Sequence, residues 1–188
     1  QENVAVIRLR GLITKIFNLE HDLRLIDFKV RSVCSKINYS EGYVLYLHGT
    51  SKENKKWSLE SWCKFSEWII NNTQLKIILT YSNQVELEFA KKLAEQMIND
   101  RIIIIDKLNF LQLVDLVQNA KLVIGVDTGF THLANLLKKP TLAIYLHSDP
   151  NYVGMVESTI AHNFGGYKAQ VDPNLLIELG RIGNNLNQ

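Results

Sequence analysis

Residues 121–139 read KLVIGVDTGFTHLANLLKK, an apolar run followed by a polar turn and a segment with apolar residues at helical spacing. The run at 121–126 is rich in Val, Leu and Ile, which is typical of a strand in a parallel sheet that is buried on both faces. The segment at 129–139 ends on two lysines and is followed by Pro140, and both features signal the end of a helix. This stretch therefore predicts a strand, a turn and a helix in direct succession.

The same alternation extends in both directions along the chain. Four further apolar runs predict strands, at 43–48, 76–81, 101–106 and 141–146. Segments with helical periodicity lie between and after them, at 59–71, 85–98, 109–119 and 173–182. Asn109 can cap the helix at 109–119, with Gln112 three residues on as its partner in a capping box. This alternation predicts an α/β fold, a Rossmann-like parallel sheet with helices on both faces and right-handed crossovers.

Three regions are expected within the chain. Residues 1–40 hold an amphipathic helix at 3–17 and a polar connector, residues 41–182 form the Rossmann-like domain, and residues 183–188 form a tail. The chain begins with Gln1 rather than Met, so we expect a processed product, a cloned domain or a piece of a longer chain.

The composition narrows the classes of function. The 188 residues carry 21 Lys and Arg against 19 Asp and Glu, and a net charge of +2 gives no electrostatic reason to expect binding to nucleic acid. A hydrophobic fraction of 46% excludes a disordered chain. No apolar stretch reaches the ~18 residues that predict a membrane span. Two cysteines, Cys34 and Cys63, are too few for a disulfide framework, which favours a cytoplasmic protein.

The turn after 121–126 has the features of a phosphate site. In open α/β sheets, ligands bind beyond the carboxyl ends of the strands. Asp127 and Thr128 follow the strand there, and the free N–H groups of a helix that begins at Gly129 would point towards an anion. Thr128 can cap this helix, and His132 in its first turn can donate to the same anion. From the residues alone, an ordinary helix cap beside a surface histidine explains the pattern equally well.

Three other strand ends carry weaker signals. The loop after 43–48 offers two hydroxyls, Thr50 and Ser51, and three lysines, of which Lys55 is one. Glu86 follows 76–81 and is placed to bind ribose hydroxyls, although a carboxylate in the first turn of a helix more often serves the helix dipole. The loop after 141–146 has ordinary turn chemistry. Because parallel strands end at one edge, these groups converge and favour a nucleotide-type anion, without the GxGxxG or P-loop of NAD and ATPase sites.

Three segments resemble the motifs of one known family. Residues 126–133 read VDTGFTHL and look like its VDTGLSHL signature, and residues 47–57 read LHGTSKENKKW and are similar to its LHATTRDDKHW stretch. Ser148-Asp149-Pro150 with Gly154 resembles its TDPxxxG loop. The family is that of the bacterial lipopolysaccharide heptosyltransferases, ADP-heptose-using glycosyltransferases of the GT-B type, and the details resemble the heptosyltransferase I branch. The similarity covers about residues 43–170, and the helix at 4–17 looks like the family's interdomain helix.

The resemblance implies a role for each matching residue. Lys55 would stabilise the leaving group, Glu86 would bind the ribose, and Leu108 would pack near the adenine. Asp127 would face the heptose or the phosphate, although a carboxylate beside a diphosphate repels it unless sugar hydroxyls or Lys55 intervene. The residues that would contact the diphosphate are Thr50, Ser51, Lys55, Thr128, Gly129 and His132.

The resemblance also implies a reaction and a missing part. GT-B enzymes have two Rossmann-like domains with the active site between them, and this chain matches only the C-terminal, donor-binding half. The acceptor site and the catalytic Asp base belong to the N-terminal half, so the catalytic base is not identified here. The reaction would be inverting transfer of heptose from ADP-heptose to the Kdo of the lipopolysaccharide inner core. We expect no metal and no cofactor, a peripheral location at the inner face of the cytoplasmic membrane, and little turnover by this chain alone.

Some residues depart from the family pattern and leave alternatives open. Lys56 stands where the family often has His, Asn54 stands in place of Asp, and residues 152–155 replace a Gly-richer loop, which affects the expected donor sugar more than nucleotide binding. The alternatives are a related transferase with another nucleotide sugar and a non-catalytic nucleotide-binding module. DTG is also the signature of aspartic proteases, but those chains are mostly β and carry Ala or Ser where Phe130 stands.

Overall fold

The computed structural model describes residues 4–18, 42–175 and 177. Within them the helices are α1 (Ala5–Phe17), α2 (Leu59–Asn72), α3 (Gln84–Met97), α4 (Phe110–Asn119), α5 (Gly129–Leu136) and α6 (Pro150–Val153). The strands are β1 (Tyr43–Leu47), β2 (Lys76–Leu79), β3 (Ile102–Ile104), β4 (Leu122–Val126), β5 (Thr141–Tyr145) and β6 (Ala161–Gly165). A single 3-10 turn, Glu53–Lys55, lies between β1 and α2.

The described strands form one parallel sheet in the order β3-β2-β1-β4-β5-β6. The chain builds outward from β1 to β2 and β3, and then returns to add β4 on the other side of β1. From β4 it builds outward again to β5 and β6. The predicted α/β fold is confirmed, and the reversal of direction falls between β1 and β4.

The core has a layer on each face of the sheet, because alternate side chains of a strand point to opposite faces. On one face, Val44 and Tyr46 of β1 pack with α2 and α3 through residues such as Trp62 and Leu93. On the other face, the intervening residues of β1, with Leu45 at their centre, pack with α4 and α5. The prediction of helices on both faces is therefore confirmed, and the central strands are buried throughout, as their apolar runs indicate.

The helix starts are fixed by local chemistry. Asn109 caps α4 by accepting from the backbone N–H of Gln112, whose side chain accepts from the N–H of Asn109 in return, at 2.9 Å each. The predicted capping box is thus confirmed. Ser58 and Asn83 cap α2 and α3 in the same way, each by accepting from the N–H three residues on.

Two elements were missed by the analysis of the sequence. β6 reads AHNFG and lies at an edge of the sheet, so it is paired on one side only, and polar His162 and Asn163 are tolerated within it. The run of apolar residues that indicates a buried strand is therefore absent. The short helix α6 begins at Pro150 behind the cap Asp149, in the segment where a plain turn was expected. The predicted strand 101–106 was too long, since only three of its residues pair with β2.

The predicted first helix is confirmed as α1, but most of its apolar stripe is exposed among the described residues. Val4 and Ile7 are buried, whereas Leu9, Leu12 and Ile16 are more than half exposed. Most of the connector expected up to residue 40 and the tail at 183–188 lie outside the described residues, as does most of the helix predicted at 173–182, of which residues 173–175 are helical. The division into three regions stays a prediction. No helix in the described parts of the chain has the length and apolar character needed to cross a membrane.

Candidate functional site

The topology opens a crevice between β1 and β4. Where neighbouring strands lead to helices on opposite sides of a sheet, their outgoing loops part and leave a binding site at the carboxyl edge. Here the loop after β1 carries Lys55, and the loop after β4 carries Asp127. The two loops that the sequence singled out are therefore neighbours in space, although β2 and β3 lie between them in the chain.

The N-terminus of α5 opens into this crevice. Thr128 occupies the N-cap position with extended backbone but makes no capping hydrogen bond, contrary to the expected cap. Its hydroxyl lies 3.2 Å from that of Thr131, and the Thr131 hydroxyl donates to the carbonyl of Val126 at 2.7 Å. The first N–H groups of α5 thus have no side-chain cap. A Cβ added at Gly129 would meet nothing within 4 Å, so the space before these N–H groups is open.

Lys55 and Asp127 form an ion pair across the crevice. The Lys55 ammonium lies 2.5 Å from Oδ2 of Asp127, and the two side chains are 22% and 11% exposed. Ser148, in the loop after β5, donates to the same oxygen. His132 Nε2 lies 3.8 Å from the other oxygen, Oδ1. Burial alone raises the pKa of the Asp127 carboxyl, but His132, Lys55 and Ser148 outweigh burial and hold that pKa well below its usual range.

A cleft of about 250 Å³ lies between Thr128, the residue that follows Asp127, and the ends of β1 and β2. It is bounded by the ends of β1 and β2, by the segment before α4 and by the start of α5. Glu86 and Leu108 both line it, as does Thr128, so three of the predicted ligand residues are brought together. The rings of Phe110 and Phe130, also in its wall, lie 6.1 Å apart. The cleft offers apolar surface for a flat ring system and leads directly to the N-terminus of α5.

Glu86 is held in a fixed position at this cleft. Its carboxylate accepts from the backbone N–H and the hydroxyl of Ser82, at 2.7 and 2.8 Å, and from the amide of Asn83 at 3.0 Å. The carboxylate occupies the space beside Gly49, where an added Cβ would lie 2.5 Å from the Glu86 carboxyl carbon. A side chain at position 49 would therefore displace this carboxylate from its hydrogen bonds.

Other predicted residues lie further from the cleft. Thr50 is half-buried and Ser51 is exposed, and neither lines the cleft that holds Glu86. His132 stands between two regions, since it faces Asp127 and also lines a separate apolar hollow with Leu9 of α1 and Met155. The assignment of individual residues to a ligand stays a prediction.

Two residues that support the site were missed. Trp57 is buried, donates from Nε1 to the carbonyl of Val171 at 2.9 Å, and packs edge-on against Trp62, so it anchors the loop that carries Lys55. A tryptophan two residues after a candidate lysine is a signal that could have been used. Ser148 was noted only as part of a motif, and no local pattern indicates that its hydroxyl reaches Asp127.

The site differs from that of an aspartic protease. The carboxylate of Asp127 is paired with a cation rather than with a second carboxylate, and the DTG turn joins a parallel strand to a helix. A proton shared between two carboxylates, on which that chemistry depends, is not available among these residues. The fold and the site together define an α/β domain whose carboxyl sheet edge presents an open helix N-terminus beside a cleft.

Comparison with known proteins identifies the family. The model of "Glycosyltransferase family 9 (heptosyltransferase)" matches residues 1–174, and the chain belongs to this family. Lipopolysaccharide heptosyltransferase 1 of Salmonella typhimurium is 30% identical over 115 residues, which cover 61% of this chain and 35% of that protein. The protein of the same name from Campylobacter coli is 29% identical over 174 residues, which cover 85% and 50%. The chain thus spans about a third to a half of the length of these relatives.

Solved structures show the same fold. The Escherichia coli heptosyltransferase WaaC with ADP superposes with a TM-score of 0.70 at 24% identity, over 78% of this chain and 46% of that one. The same enzyme with ADP-2-deoxy-2-fluoro heptose superposes with a TM-score of 0.66 at 23% identity, over 78% and 45%.

Within the described residues, no group of three or more His, Cys, Asp or Glu side chains is arranged to hold a metal ion.

Proposed function

We propose that this chain is the donor-binding half of a heptosyltransferase that transfers heptose from ADP-heptose to the Kdo of the lipopolysaccharide inner core, with inversion. Membership of glycosyltransferase family 9 and the relatives named lipopolysaccharide heptosyltransferase 1 support this proposal. The observation that carries it is the ion pair of Lys55 and Asp127 at the open N-terminus of α5, whose first residues Thr128 and Phe130 line a cleft together with Glu86 and Leu108.

The donor would lie along the cleft with its diphosphate at α5. The adenine would occupy the apolar part near Leu108, and the ribose hydroxyls would donate to Glu86, whose carboxylate is already oriented. The diphosphate would then meet the N–H groups that begin at Gly129, where the helix dipole favours negative charge. The sugar would extend past Asp127 towards β5.

The chemical step would be a displacement at the anomeric carbon. A base removes the proton of the acceptor hydroxyl, the acceptor oxygen forms the new glycosidic bond, and the bond to the β-phosphate oxygen breaks as ADP leaves. Lys55 and the α5 N–H groups would stabilise the charge that develops on ADP, because fixed donors in a partly buried site need little rearrangement. These groups would perform that role without a metal ion.

The acceptor side of the reaction lies outside this chain in our proposal. The base and the lipopolysaccharide site would belong to an N-terminal domain, attached covalently or supplied by another chain. That domain would also provide contact with the inner face of the cytoplasmic membrane, where the acceptor lies. This chain alone would bind the donor and turn over little or no substrate.

Calorimetric titration tests the proposal. The chain would be titrated with ADP, ADP-heptose, UDP and GDP, with and without EDTA, and the series repeated on His132→Ala. We expect binding of the adenine ligands alone, unaffected by EDTA and weakened in the variant. Tighter binding of a UDP- or GDP-sugar would instead indicate another donor, and absence of any nucleotide binding would contradict the proposal.

A further inference from the structure

Two donors from opposite sides of the crevice meet on one oxygen of Asp127. The Lys55 ammonium comes from the loop after β1, the Ser148 hydroxyl from the loop after β5, and both reach Oδ2. Because an ionised carboxylate only accepts hydrogen bonds, Ser148 is the donor in its bond. Oδ1 is left facing His132 Nε2 at 3.8 Å, which is too long for a hydrogen bond.

These two donors will not respond alike to a diphosphate. Lys55 sits on a long, flexible side chain, and its ammonium is attracted to any phosphate that enters the crevice. The Ser148 hydroxyl is uncharged and on a short side chain, so a phosphate exerts no comparable pull on it. When Lys55 turns to the phosphate, the Asp127 carboxylate loses its cation and is repelled by the new anion. Ser148 is then the donor that still fixes its rotation.

Ser148 is well placed for this task. Its loop is fixed on the far side by Asp149, whose carboxylate accepts from the N–H of Asn151 at 2.9 Å and starts α6. On the near side, β5 is buried throughout and pairs with both β4 and β6. The hydroxyl is therefore carried by a rigid part of the sheet edge rather than by a free loop.

We propose that Ser148 is a positioning residue that keeps the Asp127 carboxylate turned towards the sugar of the donor while Lys55 engages the diphosphate. This inference rests on the proposed function. It assigns to Ser148 an effect on recognition of the sugar and little effect on recognition of the nucleotide, since the nucleotide contacts lie on the other side of Asp127, towards β2 and β3. Asp127 would present Oδ1 to a sugar hydroxyl, with Oδ2 held by Ser148.

The test compares two ligands on matched variants. ADP and ADP-heptose would be titrated into the wild-type chain, Ser148→Ala and Ser148→Thr, with Ser158→Ala, an exposed serine before β6, as the control. For Ser148→Ala we expect ADP affinity within about twofold of wild type and ADP-heptose affinity about tenfold weaker, the effect of one hydrogen bond to a charged group. Ser148→Thr keeps the hydroxyl and should restore the preference for ADP-heptose.

A second measurement reports on Asp127 directly. Carbon NMR at neutral pH should show the chemical shift of the Asp127 carboxyl change in Ser148→Ala, which loses one hydrogen bond to Oδ2, and stay near the wild-type value in Ser148→Thr and Ser158→Ala. Equal loss of affinity for both ligands, or no loss for either, would overturn the role of Ser148 while leaving the proposed function intact. Failure of the wild-type chain to bind ADP-heptose would defeat the proposed function and this inference with it.

Discussion

The Lys55 ammonium lies 2.5 Å from Oδ2 of Asp127, although 72 residues separate the two in the chain. The pairing places a cation beside a carboxylate at the mouth of an uncapped helix N-terminus. Without Lys55, the carboxylate would repel an anionic ligand from this helix end. Pairing with Lys55 therefore neutralises this carboxylate at the helix end.

Replacing Lys55 should weaken nucleotide binding strongly. For Lys55→Met we expect ADP affinity to fall by about 10- to 100-fold, because a charged hydrogen-bond donor of about 1.5–3 kcal/mol is lost. The matched control is Lys52→Met, since Lys52 lies in the same loop and is exposed. Calorimetric titration measures both. Recovery of part of the affinity in Lys55→Met with Asp127→Asn would show that the uncompensated carboxylate adds to the loss, and equal effects of the two lysines would contradict a specific role.

Glu86 should discriminate between ribose and deoxyribose. We expect the wild-type chain to prefer ADP over 2′-deoxy-ADP, and Glu86→Gln to lose most of that preference, because the amide is a poorer acceptor for a ribose hydroxyl. Glu88→Gln is the control, since Glu88 lies on the same helix and accepts from Gln84 instead. The ratio of the two affinities is the quantity to compare, because a general loosening of the cleft lowers both. An unchanged ratio in Glu86→Gln would remove Glu86 from the ribose site.

Two glycines should respond differently to the same substitution. Gly129→Ala adds a methyl group into open space, so we expect an unchanged free energy of unfolding but weaker ADP binding, since the methyl group would occupy the path of the diphosphate. Gly49→Ala forces the Glu86 carboxylate to move and should lower both stability and nucleotide binding. Urea unfolding and calorimetric titration separate the effects. Full ADP affinity in Gly129→Ala would argue against phosphate binding at α5.

His48 should make the fold sensitive to mild acid. This side chain is 5% exposed, stacks on Phe89, and donates from Nε2 to the carbonyl of Glu86 at 3.1 Å. Burial lowers its pKa, although the hydrogen bond and the charge of Glu86 act in the other direction. The unfolded chain therefore binds a proton at this position before the folded chain does. The resulting stability is present above the ordinary histidine pKa of about 6.5 and is lost as the pH falls below it.

The measurement is urea unfolding at a series of pH values from 7.5 to 5. As the pH falls, we expect protonation of His48 to lower the free energy of unfolding by up to about 1.4 kcal/mol per pH unit. The plot of the free energy of unfolding against pH should be flatter for His48→Gln. His162→Gln is the control because His162 lies on the edge strand β6. A slope that is the same in wild type and His48→Gln would assign the acid sensitivity to other groups.

Some parts of the fold could be predicted from the sequence because they depend on residues that are close together in the chain. The apolar runs that became β1, β2, β4 and β5 owe their composition to burial on both faces, and the capping box at Asn109 is closed within four residues. β6 was missed because an edge strand with one free side does not need an apolar run. The apolar stripe of α1 was read correctly as a helix pattern, but the sequence carries no information about which surface that stripe would meet.

The candidate site also has parts that the sequence predicted and parts that only the tertiary structure shows. The sequence by itself determined the strand–turn–helix at Asp127 to His132 and the family to which it belongs, because those residues are neighbours in the chain and their backbone geometry follows from their order. Only the tertiary structure decided that Lys55 and Ser148 share one carboxylate oxygen, that Trp57 anchors the lysine loop, and that Gly49 makes room for Glu86. Those relationships depend on the order β1-β4-β5 in the sheet, and strand order is set by packing of the whole core rather than by any local pattern.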